Sequence, residues 1–249
     1  MQVVSPFNGL NVDYRIIALI IGAIISFQVF IETTEYNVAI ITNTFALALT
    51  LLVVSGGITL SYRYKGSRVF GRSFIFLTLG FASVAIGKLL VLSGVNTYPP
   101  IDTVFFFGLY VFLSIHMYIN ICEFGRGFGF KNFLILSPIV LGLISVFYVI
   151  TYMNYGHSDF NLHYCGASVI GTSILAALAL RGFHAVKKIP LGRSWRLLTV
   201  GVVILTLNDI WFHYEDTLGI YNDTHYVNLL FYASYMIIAY ALYIHKKAV

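Results

Sequence analysis

Lys88 and Asp209 place formal charges well inside long apolar runs of this chain. A charge in hydrocarbon is costly unless it is paired or hydrated, so such residues mark binding or transport sites by default. Around the second, the chain reads Asn208-Asp209-Ile210-Trp211-Phe212-His213-Tyr214-Glu215-Asp216. On a helix Asp209 and His213 share one face, and Asp216 continues it. Asp102 and Asn228 open two other apolar runs. Lys88, Asp102, Asn208, Asp209, His213 and Asn228 are therefore the candidate ligand- or ion-binding residues, with an ion pair or hydrated pair expected between Lys88 and Asp209. The alternative is a purely structural salt bridge fixing helix 3 against helix 7.

Imidazole and carboxylate groups also suit zinc or copper. His213, Asp216, His157 and His163 are the metal-ligand candidates, with Asp159 and His225 nearby in sequence. Their spacing matches no tight ligand motif. Neither cysteine completes it: Cys122 and Cys165 belong to opposite ends of their helices, too far apart for a disulfide, and read as packing residues. His116 and His184 each stand alone on a helix and read as hydrogen-bonded packing residues rather than haem ligands. Gly125-Arg126-Gly127-Phe128-Gly129 lacks the Lys-Ser/Thr of a phosphate cradle. No nucleophile elbow, H-E-x-x-H or paired-carboxylate motif is present, so no catalysis and no particular cofactor is expected.

The elements that must position these residues are membrane helices. Hydrophobic residues make up 59% of the 249 and charged residues only 10%, against about 25% charged in a soluble domain. The apolar runs are Tyr14–Ile31, Asn37–Tyr62, Val69–Val95, Ile101–Ile121, Asn132–Tyr152, Tyr164–Phe183, Trp195–Tyr214 and Tyr226–Ile244. Each approaches the ~20 residues that cross about 30 Å of hydrocarbon. They are apolar on all sides, and backbone groups in lipid must pair within their own segment, which leaves helices. The first run lacks a basic leader and a small-residue cleavage site, so it reads as a retained helix rather than a signal peptide. Pro138 is the only proline well inside a run. The fold class is all-α: a single polytopic membrane domain over 1–249 with eight transmembrane helices.

Orientation follows from the cations. With both termini in the cytoplasm, every Lys and Arg except Lys88 falls on the cytoplasmic side: Arg15, then Arg63, Lys65, Arg68 and Arg72, then Arg126 and Lys131, then Arg181, Lys187, Lys188, Arg193 and Arg196, then Lys246 and Lys247. The opposite loops carry Glu32, Glu35, Asp102, Asp159, Glu215, Asp216 and Asp223 and no cation. That asymmetry is the positive-inside pattern and assigns the plasma membrane, not nucleic acid, as the partner of a basic chain. Tyr98, Tyr152, Tyr155, Tyr164, Tyr214 and Tyr226 gather at the outer boundary as an aromatic belt.

Gly71-Arg72-Ser73 recurs as Gly192-Arg193-Ser194, and in the same register Leu77, Thr78 and Gly80 match Leu198, Thr199 and Gly201. After a short insertion Asp102 aligns with Asn228, Phe105 with Phe231 and Gly108 with Ser234. The register equates Lys88 with Asp209. A parallel 4+4 duplication follows, residues 1–131 and 132–249, with its pseudo-twofold axis along the membrane normal. Convergence of two basic hairpins is the alternative.

The last fifth of the chain resembles the membrane regions that precede diguanylate cyclase or histidine kinase domains in multi-helix microbial sensors. Those regions end in G-D-x-x-Y, then G-x-Y, then D-x-x-W-x-x-G-Y. Asp209, Gly219, Tyr221 and Tyr235 fit; Asn208, Phe212, Asn228, Phe231 and Ser234 replace Gly, Tyr, Asp, Trp and Gly. The resemblance implies a non-catalytic sensor-type or ligand-binding module without its own output domain, acting through a protein partner or a homo-oligomer. A small-solute or ion transporter and an accessory subunit of a larger complex are the alternatives.

Overall fold

The computed structural model describes residues 13–34, 37–67, 69–94, 101–124, 129–185 and 192–248. Glu35, Arg68, Tyr98, residues 125–128, Lys187 and Lys188, and the Lys131 side chain, lie outside them. The described residues form eight helices: α1 Tyr14–Thr33, α2 Val38–Arg63, α3 Phe70–Leu92, α4 Ile101–Phe124, α5 Phe130–Tyr155, α6 Phe160–Ala185, α7 Gly192–Thr217 and α8 Val227–Ala248. All eight are long and apolar enough to cross a membrane. The protein is an all-helical multi-pass membrane protein.

Several helices outrun the apolar runs that predict them, and two of the helix starts carry side-chain caps. The Asp13 carboxylate accepts from the Arg15 N–H at the start of α1. Asp159 accepts from the Leu162 N–H at 2.9 Å and so starts α6 before Tyr164. That N–H, with the Tyr155 hydroxyl, holds the Asp159 carboxyl below the usual carboxylate range. Gly156 ends α5 in the left-handed conformation, φ 79°. Pro138 is accommodated within α5.

Helices α2, α3, α4, α6, α7 and α8 pack each on the next, and α8 closes on α2, to make a ring. Helix α1 lies outside the ring on α8, and α5 lies outside it on α6. The burial follows: α5 turns apolar side chains such as Leu141, Val146 and Val149 outward, whereas α6 buries most of its length. The chain alternates direction, so the ring has an acidic end, with Glu32, Asp102, Asp159, Glu215, Asp216 and Asp223, and a basic end, with Arg63, Arg72, Arg181, Arg196 and Lys246.

At the basic end the ring is filled. Phe74 of α3 stacks on Trp195 of α7 with centroids 5.7 Å apart, and His116 and His245 close against both rings. His116 Nδ1 lies 2.8 Å from the Ser73 Oγ and carbonyl. His245 Nδ1 lies 3.2 Å from the Ser194 Oγ, and its Nε2 lies 2.9 Å from the Tyr64 hydroxyl. Each close aromatic pair contributes about 0.5–1.5 kcal/mol beyond burial. In lipid, helices associate by close packing over small residues rather than by the hydrophobic effect. Gly201 is such a point: a Cβ there would meet Ile238 Cγ1 at 2.6 Å and the Ile238 backbone nitrogen at 3.3 Å.

Gly201→Ala is therefore expected to overpack the α7–α8 seam by about 1–3 kcal/mol and lower the unfolding temperature of the detergent-solubilised protein. Gly142→Ala, on α5 with no atom within reach of the added methyl, is expected to leave it unchanged or slightly raised, as thermal denaturation will show.

Candidate functional site

The acidic end of the ring is open. A cavity of about 350 Å³ lies there, within the range of small-molecule sites. Every ring helix lines it: Thr42 and Asn43 from α2, Lys88 from α3, Asp102 and Tyr110 from α4, Tyr164 and Ser168 from α6, Asp209, His213 and Asp216 from α7, and Asn228 and Tyr235 from α8. Phe106, Phe107, Phe212 and Phe231 supply apolar faces, and Tyr221 and Asp223 enter from the α7–α8 connection. Lys88, Asp102, Asp209, His213 and Asn228, identified separately along the sequence, thus share one cavity. Asn208 does not line it; it is buried in α7, and neither amide atom has a hydrogen-bond partner among the described residues.

Of the direct or hydrated pair expected of Lys88 and Asp209, the direct ion pair is not formed. Helices α3 and α7 stand on opposite sides of the ring, and what joins them is the Phe74–Trp195 stack at the other end. Each charge has its own partners. The Lys88 ammonium donates to Asn43 Oδ1 at 2.9 Å and sits 5.6 Å above the Phe106 ring centre. Asp102 and Asp223 stand close enough to act on its charge. Across the cavity, the Tyr110 hydroxyl donates to Asp209 Oδ2 at 2.5 Å, and His213 Nε2 lies 3.7 Å from the same oxygen. Tyr110 reaches Asp209 because α6 has Gly171 beneath its ring: a Cβ there would come within 2.9 Å of Tyr110 Cδ2.

The α7–α8 connection folds over the opening. Tyr221 donates to Asn228 Oδ1 at 3.2 Å, and the Asn228 amide donates back to the Asp223 carbonyl at 3.0 Å. Burial pushes the Tyr221 phenol up to about 12, so it remains a donor at any physiological pH. Gln28 of α1 donates to the Thr224 carbonyl at 2.7 Å and ties the outlying helix to this flap.

The expected metal set divides. His213 and Asp216 face the cavity, but His157 and His163 form a local cluster at the start of α6. His157 Nε2 lies 3.7 Å from Asp159, and His163 Nε2 lies 2.9 Å from the Ser158 hydroxyl. His157 belongs to the α5–α6 connection and His163 to the first turn of α6, where their partners are Asp159 and Ser158 rather than groups of α7. Cys165, read from the sequence as a packing residue, instead comes beside Asp216, Sγ to Oδ2 3.8 Å. Tyr110, Asn43 and Cys165 were not legible as site residues. Asn43 alone carried a signal, as an amide inside an apolar run.

Tyr110→Phe removes the donor from a buried carboxylate and is expected to cost about 1–3 kcal/mol of stability, read by thermal unfolding in detergent. In a double-mutant cycle Asn43→Ala and Lys88→Met are expected to couple by at least about 0.5 kcal/mol, whereas Lys88→Met and Asp209→Leu add. Strong coupling of the second pair would restore a direct ion pair. No known protein family, curated protein or solved structure matches the chain.

Proposed function

We propose that this chain is a plasma-membrane ligand-binding module of the sensor type, which holds a small organic cation at the acidic, extracytoplasmic end and passes its state to a protein partner or a second copy. The observation that carries this is the cavity's imbalance of charge. Asp102, Asp209, Asp216 and Asp223 face it against one cation, Lys88, which Asn43 and the Phe106 ring already engage. Carboxylates beside aromatic faces in a low-dielectric site favour an ammonium group, through charge and through cation–π attraction. The flap is the element that occupancy would bias, since Tyr221 and Asp223 belong to it and Gln28 carries it to α1. No step of chemistry is part of this reading.

The duplicated architecture has support beyond the sequence register. Packing of α2 on α3, α3 on α4 and α4 on α6 is matched by α6 on α7, α7 on α8 and α8 on α2. Ser73 meets His116 as Ser194 meets His245, although His245 stands about one helical turn past the register of Asp102 with Asn228. Phe74 and Trp195, equivalent in the register of Gly71 with Gly192, stack on each other. Helix α1 departs from it by leaning on α8 more than on α2. A cavity between two like halves also suits a carrier, and this pseudo-symmetry is the one feature that favours the transporter reading. An accessory subunit would leave the cavity without a solute.

Purified protein is expected to be stabilised by at least one of tetramethylammonium, choline and phenethylamine, and not by the matching carboxylic acids. A ligand at 100 times its Kd adds about 2.7 kcal/mol, read as a rise in unfolding temperature. The rise is expected to vanish in Asp209→Asn. No rise with any amine, or one that survives Asp209→Asn, overturns the reading; uptake of the bound amine into proteoliposomes replaces sensing by transport. For orientation, a cysteine at Asp159 is expected to react with an impermeant maleimide on intact cells, and one at Lys246 only after permeabilisation.

A further inference from the structure

The wall of the cavity between α6 and α7 carries a cluster that adds a thiol to two of the cavity's own residues. Cys165, His213 and Asp216 each offer a ligand atom, and these atoms lie within 4.8 Å of one another. His213 and Asp216 are one helical turn apart on α7, so their side chains project from the same face. Cys165 faces them from the first turns of α6, fully buried, its Sγ 3.8 Å from Asp216 Oδ2. Sulfur and oxygen bound to one tetrahedral zinc ion would stand about 3.5 Å apart, given Zn–S near 2.3 Å and Zn–O near 2.0 Å.

The imidazole supplies the independent sign. His213 is only 8% exposed, and its Nδ1 has no hydrogen-bond partner among the described residues. Its Nε2 is turned instead to Tyr110 and Asp209, at 3.5 and 3.7 Å. A carboxylate behind the distal nitrogen of an imidazole is the usual support of a metal-bound histidine, fixing the ring and raising its basicity. Asp209 therefore has a place behind the ring as well as in the cavity.

We propose that Cys165, His213 Nδ1 and Asp216 bind one zinc ion, with its fourth position turned to the cavity. Thiolate with imidazole selects zinc over magnesium or calcium, which prefer oxygen. Binding takes up Zn²⁺ and releases the Cys165 thiol proton to water. The thiolate and the Asp216 carboxylate then neutralise the ion, which suits a site beside hydrocarbon. Asp216 is exposed and gives the ion a route in. His213 and Asp216 also line the cavity, whereas Cys165 lies outside its lining, so a change at Cys165 tests the zinc site separately from the organic-cation reading.

The test uses the full chain in detergent. After metal stripping and dialysis against zinc, one zinc per chain is expected by elemental analysis, with a rise in unfolding temperature. Cobalt in its place is expected to give a thiolate-to-cobalt charge-transfer band in the near ultraviolet, which needs no variant to read. Cys165→Ser is expected to abolish that band and weaken zinc by about 100-fold, while amine binding persists. Asp209→Asn is expected to weaken zinc by about 10- to 100-fold through loss of support to the ring. Absence of stoichiometric zinc from the folded wild type, a cobalt spectrum without the thiolate band, or unchanged zinc affinity in Cys165→Ser overturns the proposal.

Discussion

A carboxylate set among membrane helices needs donors on every side that water does not reach, and Asp209 is supplied by a neighbour rather than by an opposing charge. The neighbour is Tyr110, and its place depends on Gly171, over which the phenol ring lies. Lys88, the one cation within a helix span away from the basic end, is satisfied equally locally by Asn43 and the Phe106 ring. Because each charge is answered on its own wall, nothing draws α3 and α7 together at the acidic end. A direct salt bridge would have closed the space; separate partners keep it open.

The opposite end obeys the reverse rule. Phe74 and Trp195, with His116 and His245 against them, fill the ring with flat side chains, and Ser73, Ser194 and Tyr64 take up hydrogen-bonding atoms of the imidazoles. The ring is thus pinned at one end and spread at the other, and the flap of Tyr221, Asp223 and Thr224 covers the spread end under the hold of Gln28 and Asn228. Shape at the site is a consequence of what happens a membrane's depth away.

How much of this could be read beforehand follows from the range of each interaction. The helices were legible because a span needs only length and uniform apolarity. Their ends were not, since α6 begins at Phe160 through a cap by Asp159, and polar caps lie outside any apolar window. Lys88, Asp102, Asp209, His213 and Asn228 announced themselves because polar groups are rare in such runs. Tyr110 is one ring among many in α4, and nothing local marks it as the donor to a residue on α7. Cys165 is apolar by habit and lies far from His213 in sequence; only the packing of α6 on α7 makes it a neighbour of Asp216. The direct ion pair failed as an expectation for the same reason: the proposed repeat would place two matching residues opposite each other across a ring, which is a relation of symmetry and not of contact.

The proposed pseudo-symmetry bears on what would separate a sensor from a carrier here. A carrier must expose its site to each side in turn, so the basic end would have to open as the acidic end closes. Opening it would part Phe74 from Trp195 and take the Tyr64 hydroxyl from His245 inside the membrane, where unsatisfied polar groups are expensive. Moving the flap, by contrast, exchanges a few hydrogen bonds at the membrane edge, where water replaces them. The cheaper motion is the one confined to the acidic end, and that difference in cost favours the proposed sensor over a carrier.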